Sequence, residues 1–217
     1  MKIAFIDDRL NRQENMVAKF KLNLSDSDIF CNFIGNKFDN LKSTNEIEDL
    51  KDYNIIIIHK SSLEQDLRHI NLKTFCKENQ KNLVLFSGSI SNISFISFEL
   101  DGKIVSRILE INDEILYSNL DIFLQSCQAG DFDIFKLAYG NKGELAYALE
   151  QYNKIKDIIL KNEEYSANKF KQLTNNLTKL GYCNESKPDK GKYYSVETIR
   201  QIYKEIVDNI KIKGAML

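Results

Sequence analysis

The chain has 217 residues, of which 43% are hydrophobic and 28% are charged, a composition that supports a packed core and excludes wholesale disorder. No apolar run approaches the ~18–20 residues of a membrane-spanning helix, and acidic residues follow the first apolar run too soon for a signal peptide. The four cysteines are scattered without a C-x-x-C pair, which argues against a disulfide framework or zinc site and predicts a reducing cytoplasm.

Charge is distributed unevenly along the chain. Residues 1–150 contain 17 Lys and Arg against 23 Asp and Glu, whereas residues 151–217 contain 13 against 8. The net charges are therefore −6 and +5, which predicts two modules with different partners. A chance fluctuation on solvated faces explains so modest a surplus equally well.

Strand and helix patterns alternate over residues 1–128, which predicts an α/β fold with a largely parallel, layered sheet. The strands are apolar almost throughout, as expected where both faces of a sheet are covered. The predicted order is a strand over 2–7, a helix over 9–24, a strand over 28–34, a short helix over 45–50, a strand over 54–59, a helix opened by a capping box of Ser61 and Glu64, and a strand over 82–87.

The pattern changes after Ser87. Residues 93–100 alternate apolar and polar side chains, Asp101 and Gly102 form a hairpin signal, and residues 103–111 return as a strand. We therefore predict a hairpin-like edge of the sheet. A helix over 113–128 closes this domain, and residues 129–141 are predicted to form a connection.

The chain beyond Gly143 has a helical pattern throughout. Apolar residues recur at helical spacing over 145–159, 170–180 and 196–210. Gly181 suits a left-handed helix stop, and Ser195 suits the N-cap of the last helix. We therefore predict an all-helical module over residues 142–217, with a helix-turn-helix as one arrangement of its helices.

Two predicted strands end in polar side chains, Asp7 with Asp8 after the first and His59 at the end of the 54–59 strand. Ligands of open α/β sheets bind beyond the carboxyl ends of such strands. The acidic pair and the order of elements resemble the receiver domain of bacterial response regulators, over about residues 1–128. The resemblance implies a flavodoxin-like fold. In that family the acidic pair and a phosphoacceptor aspartate on another strand together hold Mg²⁺, which prefers oxygen ligands.

The chain departs from the receiver pattern at His59, which stands where the phosphoacceptor is expected. Imidazole is a poor ligand for Mg²⁺, so we expect no receiver-type phosphoryl transfer and no bound metal. Ser87 matches the hydroxyl residue after the fourth strand, and Lys103 is a weak match for the lysine of the family. We expect His59 to fill the vacated pocket and to pair with Asp7 or Asp8, which would raise its pKa. The alternatives are that the two acids cap the following helix, or that His59 is itself phosphorylated.

A second pattern lies near the C-terminus, where a leucine-containing helix ends at a glycine and a basic loop precedes another helix. It resembles the helical DNA-binding region of large serine recombinases. The resemblance covers ~35 residues without the catalytic serine domain, so it implies DNA binding and not recombination. The residues that match are Leu177, Gly181, Lys190, Lys192, Tyr194, Ser195, Thr198 and Arg200.

A helix entering the major groove would bury its apolar stripe and turn its polar side chains outward. The alternative is an ordinary solvated helix face, since Glu197 and Glu205 dilute its positive charge. The residues predicted to reach base edges are Thr198, Arg200, Gln201 and Lys204, and those predicted to contact phosphates are Lys187, Lys190, Lys192 and Tyr193.

We therefore predict a cytoplasmic, phosphorylation-independent regulator, not an enzyme, that needs no cofactor and does not bind membranes. Its degenerate receiver-like domain would contact a protein partner, and residues 166–217 would bind double-stranded DNA. Dimerisation would compensate for the limited DNA affinity of one small module. The main alternative is an adaptor that docks proteins without binding DNA. An enzyme using Asp7, Asp8 and Ser87 is less favoured, because the sequence has no paired nucleophile and base.

Overall fold

The structure, a computed structural model, describes residues 1–34, 47, 49–63, 66–100, 103–161, 165–189 and 191–214, without the side chains of residues 66–70, 100 and 103. The chain divides into two compact units, Met1–Asn141 and Lys142–Leu217. Within the described ranges, no helix combines the length and the apolar character needed to cross a membrane.

The first unit is built on a six-stranded sheet with the order β2-β1-β3-β4-β6-β5. Neighbouring strands are parallel except for the antiparallel pair β5 and β6. The predicted α/β fold with a mostly parallel sheet is confirmed, and its order is compatible with a flavodoxin-like fold. The strands are β1 (Ile3–Asp7), β2 (Phe30–Ile34), β3 (Ile55–His59), β4 (Asn82–Phe86), β5 (Ser94–Leu100) and β6 (Lys103–Ile111).

Helices cover both faces of this sheet, which explains why its central strands are apolar at successive positions. Alternate side chains point to opposite faces. Phe5, Ile57 and Phe86 pack with α3, whereas Ile6, Ile56 and Leu85 pack with α2. The helices of this unit are α1 (Leu10–Phe20), α2 (Asp66–Glu78), α3 (Asp113–Gln128) and the short α4 (Lys136–Tyr139).

Helix α1 is shorter than the predicted 9–24 helix. Lys21 adopts a left-handed conformation with φ of 53°, and its N–H bonds to the carbonyl of Val17, which ends the helix. Leu22 and Leu24, which continue the apolar pattern, instead pack against the core from an irregular segment. The predicted 45–50 helix lies mostly outside the described residues.

The predicted hairpin after Ser87 is confirmed by the antiparallel pairing of β5 and β6, although its turn at residues 101–102 lies outside the described residues. Strand β6 then pairs in parallel with β4 and forms the fifth strand of the parallel part of the sheet. Lys103 is the first residue of β6. It therefore lies at the opposite end of the parallel strands from Asp7 and His59, which are at their carboxyl ends. The proposed match of Lys103 to the receiver lysine is therefore wrong.

Residues 129–141, predicted as a connection, also contribute to the core of the first unit. Ile134, Leu137 and Ala138 are buried in the same cluster as the α3 side chains. The segment therefore packs as part of the first unit up to its end at Asn141.

The second unit contains the helices α5 (Gly143–Lys161), α6 (Ala167–Lys179) and α7 (Val196–Gly214). Helices α5 and α7 run antiparallel, because Lys213 pairs with Glu144 (Nζ to Oε1, 3.3 Å) while the Tyr152 and Tyr203 rings stack at 4.6 Å. A two-residue ribbon, β7 (Tyr165–Ser166) with β8 (Tyr193–Tyr194), supplements the predicted helices.

The segment between α6 and α7 comprises residues 180–195, and most of its described residues are exposed or half-buried, although Tyr182, Cys183 and Tyr194 are buried. The turn of a helix-turn-helix typically has about 3–4 residues. Helices α6 and α7 are therefore joined by a long, structured connection in place of the tight turn of that motif.

Candidate functional site

The polar ends of β1 and β3 meet at one edge of the sheet. The two strands are parallel neighbours, and Ile6 is in register with Ile58, so Asp7 and His59 follow side by side. Both side chains are buried, Asp7 at 0% exposure and His59 at 6%. The sequence therefore predicted correctly that these strand ends form one cluster.

Asp7 is fully paired inside this cluster. Its carboxylate accepts hydrogen bonds from the Tyr117 hydroxyl (2.9 Å) and the Arg9 backbone N–H (3.1 Å). The Arg12 guanidinium donates to both Asp7 oxygens, with Nε at 3.3 Å from Oδ2. The buried charge of Asp7 is thus balanced by a cation from the first turns of α1.

Arg12 bridges the acidic pair. It lies four residues after Asp8 on α1, and its Nη2 is 2.6 Å from Asp8 Oδ1. Burial alone would lower the pKa of Arg12, but the hydrogen bonds that it donates to both carboxylates raise it. Burial likewise acts to raise the pKa of Asp8, and the hydrogen bonds from Ser61 and Arg12 outweigh it and lower that pKa. Asp8 and Arg12 therefore stay charged.

His59 reaches the acidic pair through Ser61. The Ser61 hydroxyl donates to Asp8 Oδ1 (2.6 Å) and lies 2.6 Å from Nδ1 of His59, while Nδ1 itself is 3.6 Å from the same carboxylate oxygen. Ser61, expected to cap a helix, lies instead in a 3₁₀ turn at Lys60–Leu63. Glu64, its expected capping partner, lies outside the described residues.

The expected rise in the pKa of His59 is wrong. Burial lowers this pKa and the charge of Arg12 lowers it further, against the opposing charges of Asp7, Asp8 and Asp113. The sequence argument counted the two acids and omitted the guanidinium that neutralises them. His59 is therefore neutral near pH 7.

Asp113, the first residue of α3, is a second buried acid beside Asp7, at 8% exposure, and its charge acts on His59. Its Oδ1 accepts the Glu114 backbone N–H at 2.8 Å. A Cβ added to Gly88 would lie 3.2 Å from Asp113 Oδ2, so glycine leaves room for this carboxylate. Ser87 is half-buried, and its hydroxyl is 3.0 Å from that of Ser89, without a described contact to the acidic pair.

The Mg²⁺ that the receiver resemblance implies does not fit this donor set. Arg12 already bonds to both carboxylates of the pair, and the side chain on the neighbouring strand end is His59, an imidazole and not an oxygen ligand. In the part of the chain that the structure describes, no group of three or more His, Cys, Asp or Glu side chains could hold a metal ion.

Sequence reasoning missed three members of this site, Arg12, Ser61 and Tyr117. The spacing of Asp8 and Arg12 at i and i+4 on a helix was a usable signal. Tyr117 had no comparable signal, because it lies 110 residues from Asp7 in the chain.

In the second unit, Arg200, Gln201 and Lys204 are exposed on one side of α7, as the sequence predicted. Two acids, Glu197 and Asp208, are exposed on the same helix. Of the residues expected to contact phosphates, Lys187, Lys192 and Tyr193 are exposed, and Lys190 lies outside the described residues.

Thr198 differs from the other predicted DNA-contacting residues because its hydroxyl already makes hydrogen bonds within the chain. It donates to Asp189 Oδ1 (2.8 Å) and lies 3.2 Å from the Ser195 hydroxyl. Asp189 Oδ2 also accepts the Ser195 backbone N–H (2.8 Å). Ser195 itself accepts the Thr198 N–H (3.3 Å), which agrees with its predicted N-cap role.

The chain matches no known family model, no curated protein and no solved structure.

Proposed function

We propose that this chain is a phosphorylation-independent regulatory protein, with a degenerate receiver-like first unit and a second unit that binds double-stranded DNA. The observation that carries the first part is the contact of Arg12 with both Asp7 and Asp8. A guanidinium is always charged and cannot dissociate from the chain. It supplies permanently the positive charge that a divalent cation supplies reversibly in receivers.

His59 and the permanent cation of Arg12 each remove one requirement of receiver chemistry. Phosphoryl transfer needs an acceptor and a divalent ion that stabilises charge on the transferred group. Here His59 stands at the acceptor position and Arg12 occupies both carboxylates of the pair. We therefore expect the first unit to act as a binding module without enzymatic activity, whose signal is contact with a protein partner.

The proposed DNA-binding role rests on the exposed side chains of α7 and the preceding loop. Arg200 and Gln201 are of the types that read base edges, and Lys187 and Lys192 can neutralise phosphates. Such a surface would give salt-dependent binding, and a cytoplasmic homodimer would add the contacts that one small unit lacks.

The test is fluorescence anisotropy of labelled duplex DNA with the full chain at low and moderate salt. We expect binding that weakens steeply with salt and is reduced by the double change Lys187→Ala and Lys192→Ala. Lys156→Ala, which removes an exposed charge from α5, is the matched control. Absence of binding at low salt would contradict the DNA-binding role.

One observation favours the alternative, an adaptor that docks proteins only. The Asp189 carboxylate occupies the N-terminus of α7, where a helix would otherwise favour a phosphate. If the anisotropy experiment shows no DNA binding, we would interpret α7, with the Asp189 carboxylate at its N-terminus, as a protein-docking helix. The proposed regulatory role of the first unit would not change.

A further inference from the structure

Two polar atoms at the carboxyl-end edge of the sheet make no hydrogen bond with the described residues. They are Nε2 of His59 and Oδ2 of Asp113, whose residues are 6% and 8% exposed. Within the described part of the chain, Ser62 Oγ is the single side-chain nitrogen or oxygen that is both fully buried and without a partner. Nε2 and Oδ2 are therefore in contact with solvent, although the rest of each side chain is buried.

These two atoms come from opposite sides of the end of β4. His59 on β3 and Ile111 on β6 are both in register with Phe86, the last residue of β4. Adjacent strands lie about 4.8 Å apart, so β3 and β6 are separated by about 10 Å here. Asp113 follows Ile111 closely, and its Oδ2 lies 3.2 Å from the position of a Cβ on Gly88. Because Gly88 has no side chain, the carboxylate lies over the end of β4, on the side of His59.

The imidazole presents a lone pair at Nε2. The Ser61 hydroxyl donates its one proton to Asp8 Oδ1 (2.6 Å), so its 2.6 Å contact with Nδ1 of His59 requires a proton on that nitrogen. The Ser61 backbone N–H also points at Nδ1, at the longer distance of 3.1 Å, and the charge-assisted bond to Asp8 is the stronger constraint. We therefore assign the proton of the neutral imidazole to Nδ1, which leaves Nε2 as an acceptor.

The charges around this opening favour a cation. The charges of Asp7, Asp8 and Asp113 act on the imidazole, against the opposing charge of Arg12. Arg9 lies 3.8 Å from Asp8 but is exposed, so solvent and salt screen its charge. A phosphate or carboxylate ligand would meet the Asp113 carboxylate and be repelled. A ligand that satisfies both solvent-facing acceptors must carry positive charge and at least two hydrogen-bond donors.

A guanidinium meets these conditions better than an ammonium. It presents five donors in a fixed plane and is more weakly hydrated, and arginine is enriched at protein interfaces whereas lysine is depleted. We infer that His59 and Asp113 form a recognition site for an arginine side chain of the protein partner, whose guanidinium donates to Nε2 of His59 and to Oδ2 of Asp113. This inference rests on the proposed role of the first unit as a protein-contacting module, and it names the chemistry of that contact.

The experiment is selection of peptides by the full chain from a displayed pool of random peptides. The test variant is Asp113→Asn, which removes the charge and retains an oxygen that can accept the Glu114 backbone N–H. The matched control is Asp121→Asn, which removes the same charge from an exposed position further along α3. Thermal unfolding of each variant verifies that the first unit remains folded.

A second measurement uses the parent chain alone, so it does not depend on the folding of any variant. A selected peptide is titrated into the parent while NMR follows the imidazole signal of His59. The same titration is repeated with citrulline in place of the peptide's arginine, because citrulline has nearly the same shape without the charge.

We expect the parent and Asp121→Asn to select peptides that share one arginine, and Asp113→Asn to lose this enrichment. Citrulline should weaken binding by a factor on the order of ten or more, because it removes charge-assisted hydrogen bonds, and the arginine peptide should shift the His59 signal. Three outcomes would overturn the inference and leave the partner-contacting role standing: peptides without a shared arginine, an arginine that Asp113→Asn still selects, or a His59 signal that does not move. Selection of no peptide by the parent would overturn both.

Discussion

Arg12 on α1 and Asp8, which lies just after β1, form an ion pair of 2.6 Å between Nη2 and Oδ1, and the same guanidinium also bonds to the buried Asp7. Two adjacent carboxylates at a strand end would repel each other, and their repulsion is normally relieved by a bound cation or by protonation. Here the chain supplies the cation itself. Together with the burial of the imidazole, this relationship lowers the pKa of His59, and it is the basis of the proposed function.

Arg12→Met should destabilise the first unit by about 3 kcal/mol at neutral pH, because it leaves two carboxylates without their cation. Arg9→Met is the matched control, since Arg9 is 70% exposed and lies 3.8 Å from Asp8. The control should cost no more than about 1 kcal/mol. Urea unfolding of both variants measures the difference, and equal effects would show that Arg12 does not balance the pair.

Tyr117→Phe should lower the free energy of unfolding by about 1–3 kcal/mol, because it removes a hydrogen bond to the buried, charged Asp7. The ring contacts of Tyr117 with Phe5 and Phe86 remain in this variant, so the loss measures the hydroxyl group. The experiment is urea unfolding beside the parent. A change below about 0.5 kcal/mol would show that Arg12 and the Arg9 backbone N–H satisfy Asp7 without the hydroxyl.

His59 should make the first unit less stable in acid. Its pKa is lowered in the folded chain by burial and by Arg12, so the unfolded chain binds the proton more readily. The resulting stability is present above about pH 6.5 and is lost as the pH falls through the lower folded pKa. NMR titration of the two histidines should show this lowered pKa, with His69→Gln identifying the His59 signal.

In His59→Gln the loss of stability between neutral and mildly acid pH should be smaller than in the parent, because the glutamine cannot take up a proton. Urea unfolding at several pH values measures the slope for both proteins. Parallel slopes, or a His59 pKa above its ordinary value, would contradict the lowered pKa that burial and the charge of Arg12 give this imidazole.

Arg200→Ala and Lys192→Ala should affect DNA binding differently. Loss of the exposed Arg200 should relax the sequence preference, because arginine reads base edges, whereas loss of Lys192 should weaken binding to all sequences and reduce its salt dependence. Anisotropy with a selected and a scrambled duplex separates the two effects. Identical behaviour of both variants would indicate that α7 contacts only the DNA backbone.

The fold could be predicted from the sequence where the signal is local. The tetra-isoleucine segment within β3 is apolar at successive positions because helices cover both faces, and its pairing with β1 follows from the parallel α/β pattern. The end of α1 was not predictable from periodicity, because the left-handed Lys21 stops the helix while the apolar pattern continues through Leu24.

The candidate site was likewise predictable only where the sequence signal is local. Asp7 and His59 could be placed together because parallel strands end at one edge of a sheet. The charge of His59 could not, since it depends on how deeply the imidazole is buried and on where the flexible Arg12 side chain lies. Long-range side-chain packing of this kind leaves no periodic trace in the sequence.

The most direct test of the account is calorimetric titration of Mg²⁺ into the parent, Arg12→Ala and Asp8→Asn at neutral pH. We predict no saturable binding by the parent, because Arg12 already holds both carboxylates. Binding that appears in Arg12→Ala would strengthen this interpretation. Saturable binding of Mg²⁺ by the parent that is abolished in Asp8→Asn would contradict it, since it would show that the acidic pair is free to hold a metal ion.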